Sequence, residues 1–589
     1  MSQDSNTGQH NAPQASSRDE TSARSFSFLL DTGWGKAVFG VAFLLALVGI
    51  GWSVFPVFSG EEEGLSTNLP EAQRIAREEL EERGVSTDAL IQGTAYQAQP
   101  VFATGQQYIA QFGKRQDLAD AYEKTGWSDT AWTVNYGKEA DKRAVSTVIS
   151  PQGELLRIDQ TYPNAAEGAD LSEDEARQKV ISHLEERHDI QASEITQKNL
   201  KTTEHDNRTD YTFTYHFTEE EWSVKDARLV FDIEVEGNTV NGFAPSIKTP
   251  EGWQREEATP SGIEFLFIGL SFLLLLGTLG VSVWFVLSSL RQGEFAGNLG
   301  KWAAGGYVVL AIVGALNSIP RFFLPYTTQG NDSLAVSNFI AIGVVGQLVV
   351  IGLLAFIIFV VVSFGVGVWR SRVSSDFGLQ TVYHPETGWN AKRALEWYAT
   401  PLIVGGLELL NVQGTRYLAE QWNILLPSEG SGTGTLVGTV DTFVPALASL
   451  LSVVLLAIFL IAVLGFGVYL RDFLRSEWLA ALVVLVVFLL PAGTALSVSS
   501  TNEALLLTGG SVLVSVVVGF VWGVFVLRNQ LAAYLLGLAE LMLGAAALNL
   551  LSQSDLWVIG NGAVVLIVLV LICYFSGPWG NKISHIWNR

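Results

Sequence analysis

A single apolar stretch, roughly residues 37–58, is followed by about 200 charge-rich residues, and from about residue 262 onward one apolar run succeeds another. A helix needs about 20 mostly apolar residues to cross a bilayer. Residues 265–287, 339–369, 443–469 and 557–575 reach that length with no charge in the middle. In lipid every backbone polar group must be paired within the segment, so such runs must be helices. The order of segments therefore predicts a membrane all-α helical bundle of about ten transmembrane helices, with an α+β extracytoplasmic domain inserted between helices 1 and 2.

The expected spans lie near 37–58, 262–289, 301–319, 336–369, 395–412, 442–469, 478–497, 508–527, 530–550 and 557–576. The segments are then a disordered cytoplasmic tail (1–35), a transmembrane anchor (36–58), the acidic domain (59–260), the bundle (261–576) and a cytoplasmic tail (577–589). The bulky sequence Val54-Phe55-Pro56-Val57-Phe58 offers no small-residue cleavage site, so the first span reads as a retained anchor.

Charge orients these spans. Arg291, Lys301, Arg370, Arg372, Lys392, Arg393, Arg471, Arg475, Arg528, Lys582 and Arg589 fall in alternate gaps and the tail, while the opposite gaps beyond the domain hold only Arg321 and Arg416. The positive-inside rule then puts both termini in the cytoplasm of a prokaryotic plasma membrane and the acidic domain outside. The fifth span is the poorest lipid-facing helix, with Glu396, Pro401, Gly405, Gly406 and Glu408, and is expected to be buried or re-entrant.

Of the 58 acidic residues, 39 lie between residues 59 and 260, leaving that segment near −19. Such a surface repels nucleic acid and anionic lipid, and it suits high salt, where the repulsion is screened; a halophilic source is one expectation. The one cysteine, Cys573, permits no intrachain disulfide and no cysteine metal site.

The domain contains a repeat. Residues 71–83 (EAQRIAREELEER) align without gaps on 175–187 (EARQKVISHLEER), with Asn68 and Ser172 as capping residues ahead of each. Ala72, Ile75, Ala76 and Leu80 make one apolar stripe. Alternating strands follow each helix: 131–136, 144–149 and 155–161 in the first unit, 211–217, 228–236 and 239–243 in the second, joined by Gly-containing turns. Units of this layout, near 66–162 and 168–250, resemble the PepSY-type extracytoplasmic module. The resemblance implies a role in regulating or shielding associated peptidases and sensors.

The seven histidines, His10, His183, His188, His205, His216, His384 and His585, all lie outside the expected spans, which excludes an intramembrane Ser–His pair or HExxH zinc site. His183 and His188 are five apart, a spacing that shares a helix face poorly, and solvated side chains are expected. The overall plan, with Ala315-Leu316-Asn317-Ser318-Ile319-Pro320 and Tyr326-Thr327-Thr328 at the outer end of the third span, is similar to large multi-domain CPBP (CAAX protease and bacteriocin-processing) intramembrane proteases. That family's chemistry would need a Glu-Glu-x-x-x-Arg motif and a later His or Asn. Residues 458–463 (IFLIAV) and 538–541 (LAEL) stand where these should fall, so no catalytic residue carries over.

The remaining polar residues are Glu540 and Glu408, as candidate acids, and Asn317, Gln347, Arg416 and Asn549, as candidate binding groups. An intramembrane carboxylate is costly and marks either a proton, cation or substrate contact or a hydrogen-bonded helix pair. Glu408 and Arg416, two turns apart, are expected to form a polar pair near the outer face. Asn317 precedes Pro320 and reads as a cap or kink residue; Gln347 reads as interhelical glue. No metal and no cofactor are expected; the expected partners are membrane lipid and another membrane or extracytoplasmic protein. The leading expectation is a non-catalytic sensor, scaffold or regulator. The alternatives are a CPBP-type endopeptidase and a proton- or cation-coupled transporter, and convergence of the polar residues on one cavity would favour either of these.

Overall fold

The computed structural model describes residues 33–59, 64–88, 90–99, 102–138, 141–161, 167–257, 262–292, 297–328, 335–372, 383–384, 388–389, 391–425, 436–476, 502–521 and 531–576. The expected seventh span (478–497), most of the first tail and all of the last tail lie outside the described residues.

Helix α1 (Gly33–Ser59) leads to an α/β unit built from two like halves. The first half is α2 (Leu69–Glu82), β1 (Ile91–Ala98), a helical pair α3 (Ala103–Phe112) and α4 (Arg115–Thr125), then β2 (Thr130–Lys138), β3 (Asp141–Ile149) and β4 (Leu155–Thr161). The second is α5 (Glu173–His188), β5 (Ile195–His205), β6 (Arg208–Phe217), the short β7 (Ser223–Val224), β8 (Ala227–Glu236) and β9 (Thr239–Lys248). Each half is thus a helix followed by an antiparallel meander, β1-β2-β3-β4 in one sheet and β5-β6-β8-β9 in the other, with β7 added at β8.

The helices form where the capping chemistry predicts. The Asn68 side chain accepts from the Glu71 amide at 3.0 Å, and Ser172 does the same for Glu175 within a reciprocal capping box. Leu69, Ala72, Ala76 and Leu80 of α2, and Ala176, Val180 and Leu184 of α5, are buried against their sheets. The halves meet chiefly through β4 and β9. Glu79 of α2 lies 3.9 Å from Arg187 of α5, and the positions equivalent under the repeat, His183 and Arg83, are also neighbours.

A short helix α6 (Glu251–Glu257) leads into the bundle: α7 (Gly262–Gln292), α8 (Gly297–Asn317), the short α9 (Ile319–Phe322) and α10 (Leu324–Thr328), α11 (Val336–Arg372), α12 (Ala391–Gln421), α13 (Pro445–Leu474), α14 (Asn502–Val521), α15 (Leu531–Leu551) and α16 (Leu556–Ser576). Among the described residues five helices, α8, α11, α13, α15 and α16, are long and apolar enough to cross a membrane, and shorter apolar stretches occur in α1, α7 and α14. This is the character of a membrane protein.

The polar fifth span is one continuous helix, α12, running through Pro401. It packs on α1, α14 and α15, with Ala399, Ile403 and Val404 buried and Leu402, Val412, Tyr417 and Leu418 exposed. Its backbone meets that of α1 where neither has a side chain: a Cβ on Gly406 would stand 2.5 Å from the Ala46 carbonyl oxygen. Its polar residue Glu408 and its glycines Gly405 and Gly406 fall where it meets other helices, which accounts for part of its composition.

One end of the bundle carries the α/β unit. Helices α9 and α10 pack on β1 and β2, where Gly93 admits the backbone of Leu324 and the Asn135 amide donates to Thr328 Oγ1 at 2.9 Å. Before α16, the Ser554 and Asp555 amides donate to the Leu65 carbonyl, the Leu65 amide donates to Gln553 Oε1 at 2.8 Å, and the Asn68 amide donates to Asp555 Oδ2 at 2.9 Å. After α12, Asn423 Oδ1 accepts from the Gln116 amide and Glu420 pairs with Arg115 at 2.7 Å. The core of the first half, including Leu65, Leu80, Trp132 and Ile158, is continuous with Val440, Ala446, Leu543, Leu550 and Val558 of the bundle. The three contacting connections are the α8–α11, α12–α13 and α15–α16 gaps, which are also gaps poor in Lys and Arg.

Candidate functional site

The six polar residues singled out in the sequence do not share a site. Glu408 on α12 accepts a 2.7 Å hydrogen bond from Ser515 Oγ on α14. One turn away, the Asn411 amide donates to the Ser511 carbonyl and to the hydroxyls of Ser511 and Ser515 at 3.0–3.1 Å. The expected Glu408–Arg416 pair is thereby replaced by an α12–α14 polar clamp, and Arg416 is exposed. Asn411, Ser511 and Ser515 were not legible as a group because each is an ordinary polar residue in its own span.

Glu540 lies in α15. It is buried, its Oε1 accepting from the Cys573 thiol of α16 at 3.5 Å while its Oε2 has no partner. Asn549, further along α15, uses its carbonyl oxygen to accept from Ser552 Oγ and Gln553 Nε2 at the helix end. That end orients Gln553 toward Leu65, so Asn549 belongs to the docking surface.

Asn317 and Gln347 are the two that meet a common space. A cavity of about 1160 Å³ lies between α8, α11 and α13 beneath the aromatic roof of α9 and α10; Gln347 is exposed on its wall and Asn317 lies at its upper edge. Asn317 is committed elsewhere: its Nδ2 donates to the Val444 carbonyl at 3.0 Å, and its Oδ1 accepts from the Val444 amide at 2.7 Å. Its own carbonyl accepts from the Phe443 amide at 3.0 Å. Val444 is the N-cap of α13, and its carbonyl also accepts from the Leu447 and Ala448 amides; the group that Asn317 alone satisfies is the Val444 amide, which the helix start leaves unpaired.

Residues 436–444 carry a group missed in the sequence, Asp441. Its side chain is 0% exposed, between the edge strand β1 and the bundle, and neither carboxylate oxygen makes a hydrogen bond. Arg321 of α9 is the nearest cation, 3.7 Å from Oδ2 and itself 48% exposed. Burial pushes the Asp441 carboxyl up to about 6, against the opposing pull of Arg321. Only tertiary placement marks this residue, which sits in an unremarkable Gly/Thr-rich stretch.

Within the α/β unit the two histidines correct the expectation of solvated side chains. The His183 and His188 rings stand 5.5 Å apart, and His188 stacks on Phe243 at 3.9 Å. His188 ends α5, so its ring turns toward β9 where the halves meet. Burial, then the Arg83 and Arg187 charges, push His183 down to about 4; burial, then His183 and Arg187, do the same to His188. Among the described residues no three His, Cys, Asp or Glu side chains are grouped to hold a metal ion.

No family model matches the chain, and neither a curated protein nor a solved structure matches it.

Proposed function

We propose that this chain is a multi-pass plasma-membrane protein of a prokaryote that works without catalysis, as a sensor, scaffold or regulator. The α/β unit stands outside on the bundle and both termini are cytoplasmic. Its outward gaps would be those poor in Lys and Arg, and the contact of three of them with the α/β unit supports that orientation. The relation to PepSY-type modules and to CPBP-type proteases is part of this proposal and rests on sequence pattern alone. The partners it implies are lipid around the bundle and another membrane or extracytoplasmic protein on the α/β unit.

One observation carries the reading: the two intramembrane glutamates lie on different helix pairs, Glu408 accepting from Ser515 and Glu540 accepting from Cys573 through one oxygen while the other is unpartnered. General acid–base chemistry and coupled ion binding both need polar groups converging on one reacting or binding point. The large cavity, by contrast, is walled mostly by apolar side chains, with Asn317, Ser318, Arg321 and Gln347 as polar exceptions, and contains neither glutamate.

The test uses purified protein in proteoliposomes, assayed for cleavage of a fluorogenic transmembrane peptide and for proton and sodium flux. The expected result is vesicle background in both assays for the wild type, Glu408→Gln and Glu540→Gln alike. Cleavage or flux in the wild type that either substitution abolishes would overturn the reading and restore an enzyme or a transporter.

A further inference from the structure

The seam between the α/β unit and the bundle combines an apolar core with polar pairs around it, and most of those polar groups are matched. Asn68 with Asp555, Leu65 with Gln553 and the Asn135 amide with Thr328 all close hydrogen bonds of 2.8–2.9 Å. Asp441 breaks that pattern. It follows Val440, a member of the apolar cluster that also holds Tyr96 of β1 and Ala446, and both of its oxygens are buried without a hydrogen bond. A buried carboxylate left unmatched is expensive when ionised and much cheaper when it carries a proton.

We propose that Asp441 is a proton-operated latch: protonated, it lets the β1 edge of the α/β unit close on the bundle, and ionised, it loosens that seam. The groups facing it are few. Arg321 approaches from α9 with a half-exposed guanidinium. From β1 the facing group is the Tyr96 backbone amide, outside hydrogen-bond geometry; the Tyr96 hydroxyl is taken by Thr130 Oγ1 at 2.7 Å. The remaining facing group is Asp441's own backbone amide, likewise outside hydrogen-bond geometry. Arg321 opposes protonation, but at 3.7 Å and half hydrated it recovers only part of the desolvation cost.

The device has a direction. When the seam opens, Asp441 regains water and an ordinary value of 3.8, whereas in the closed seam it titrates at about 6. The closed form therefore binds the extra proton, and closure is favoured as pH falls through about 6 toward 4. Because the same seam includes the α9–α10 roof over the large cavity, opening would also unseat that roof. This inference does not depend on whether the protein is catalytic.

Hydrogen–deuterium exchange on the full chain in lipid nanodiscs tests it, read on peptides covering 91–98, 319–328 and 436–444 and corrected for intrinsic exchange. Between pH 5 and pH 8 the opening equilibrium at these peptides should rise about tenfold in the wild type. Asp441→Asn, which mimics the protonated form, should be pH-independent and as protected as the wild type at pH 5. Arg321→Gln keeps the test decisive if Asp441→Asn does not fold. Losing the cation should move the midpoint to higher pH. Protection in the wild type that ignores pH, a pH dependence that survives Asp441→Asn, or a midpoint unmoved by Arg321→Gln would each overturn the proposal.

Discussion

Replacing Asn317 by alanine separates a structural clamp from a ligand-binding group. Asn317 is only 6% exposed and spends both ends of its amide on one residue, donating to the Val444 carbonyl and accepting from the Val444 amide. Alanine would leave the Val444 amide unpaired at the start of α13, while the Val444 carbonyl keeps the Leu447 and Ala448 amides as donors. An orphaned polar group of this kind costs about 1–3 kcal/mol. At about 2–4 °C per kcal/mol that corresponds to a drop on the order of 2–12 °C in unfolding midpoint. Asn317→Asp is the sharper variant, because it keeps the acceptor but sets a second oxygen against the Val444 carbonyl; it should be at least as destabilising. The assay is the monodisperse fraction left after heating in detergent, compared with wild type. Both variants within about 1 °C of wild type would refute the clamp and return Asn317 to the cavity as a binding group.

Two further outcomes follow from the same geometry. Gly406→Leu should abolish the packing of α1 on α12, since even a Cβ would be 2.5 Å from the Ala46 carbonyl; loss of the monodisperse peak is expected, with Gly414→Leu, where a Cβ meets open space, as the tolerated control. The α/β unit should lose stability on acidification as well. His183 and His188 bind protons more weakly folded (about 4) than unfolded (6.5), so the stability they contribute is complete above 6.5 and falls as pH drops toward 4. A double His183→Gln, His188→Gln variant should flatten that limb of the thermal midpoint against pH. This acid effect is opposite in sign to that of Asp441, so the two are distinguishable in one titration.

What could be read from the chain follows from where its determinants lie. Helices α2 and α5 were legible because cap and stripe are local: Asn68 and Ser172 precede residues whose buried members fall at helical spacing. Strands β2 to β4, β6, β8 and β9 were legible from alternation. Strand β5 was not, since only Ile195 among its eleven residues is buried and its Lys and Thr residues give no period-two signal. Strand β1 was hidden by its Gln residues and by Gly93, whose lack of a side chain reflects the approach of Leu324 from over 200 residues away. The unusual composition of α12 was legible, but its contacts with α1, α14 and α15, which take up Gly406, Glu408 and Gly405, were not. The same limit governs the polar residues: Glu408 pointed along its own helix toward Arg416, while the partner that takes it, Ser515, is on another helix. Asp441 needed three elements in place before it became notable.

The central claim is that the α/β unit is seated on the bundle in one fixed register. It is tested most directly by joining Asn68 to Asp555, whose side chains meet at 2.9 Å across the seam. In a Cys573→Ser background, which removes the only native thiol, the pair Asn68→Cys and Asp555→Cys should be bridged nearly completely in intact membranes by a short thiol-reactive linker. Absence of a bridge, with both thiols shown reactive to a maleimide, would contradict the seating and with it the account of the seam.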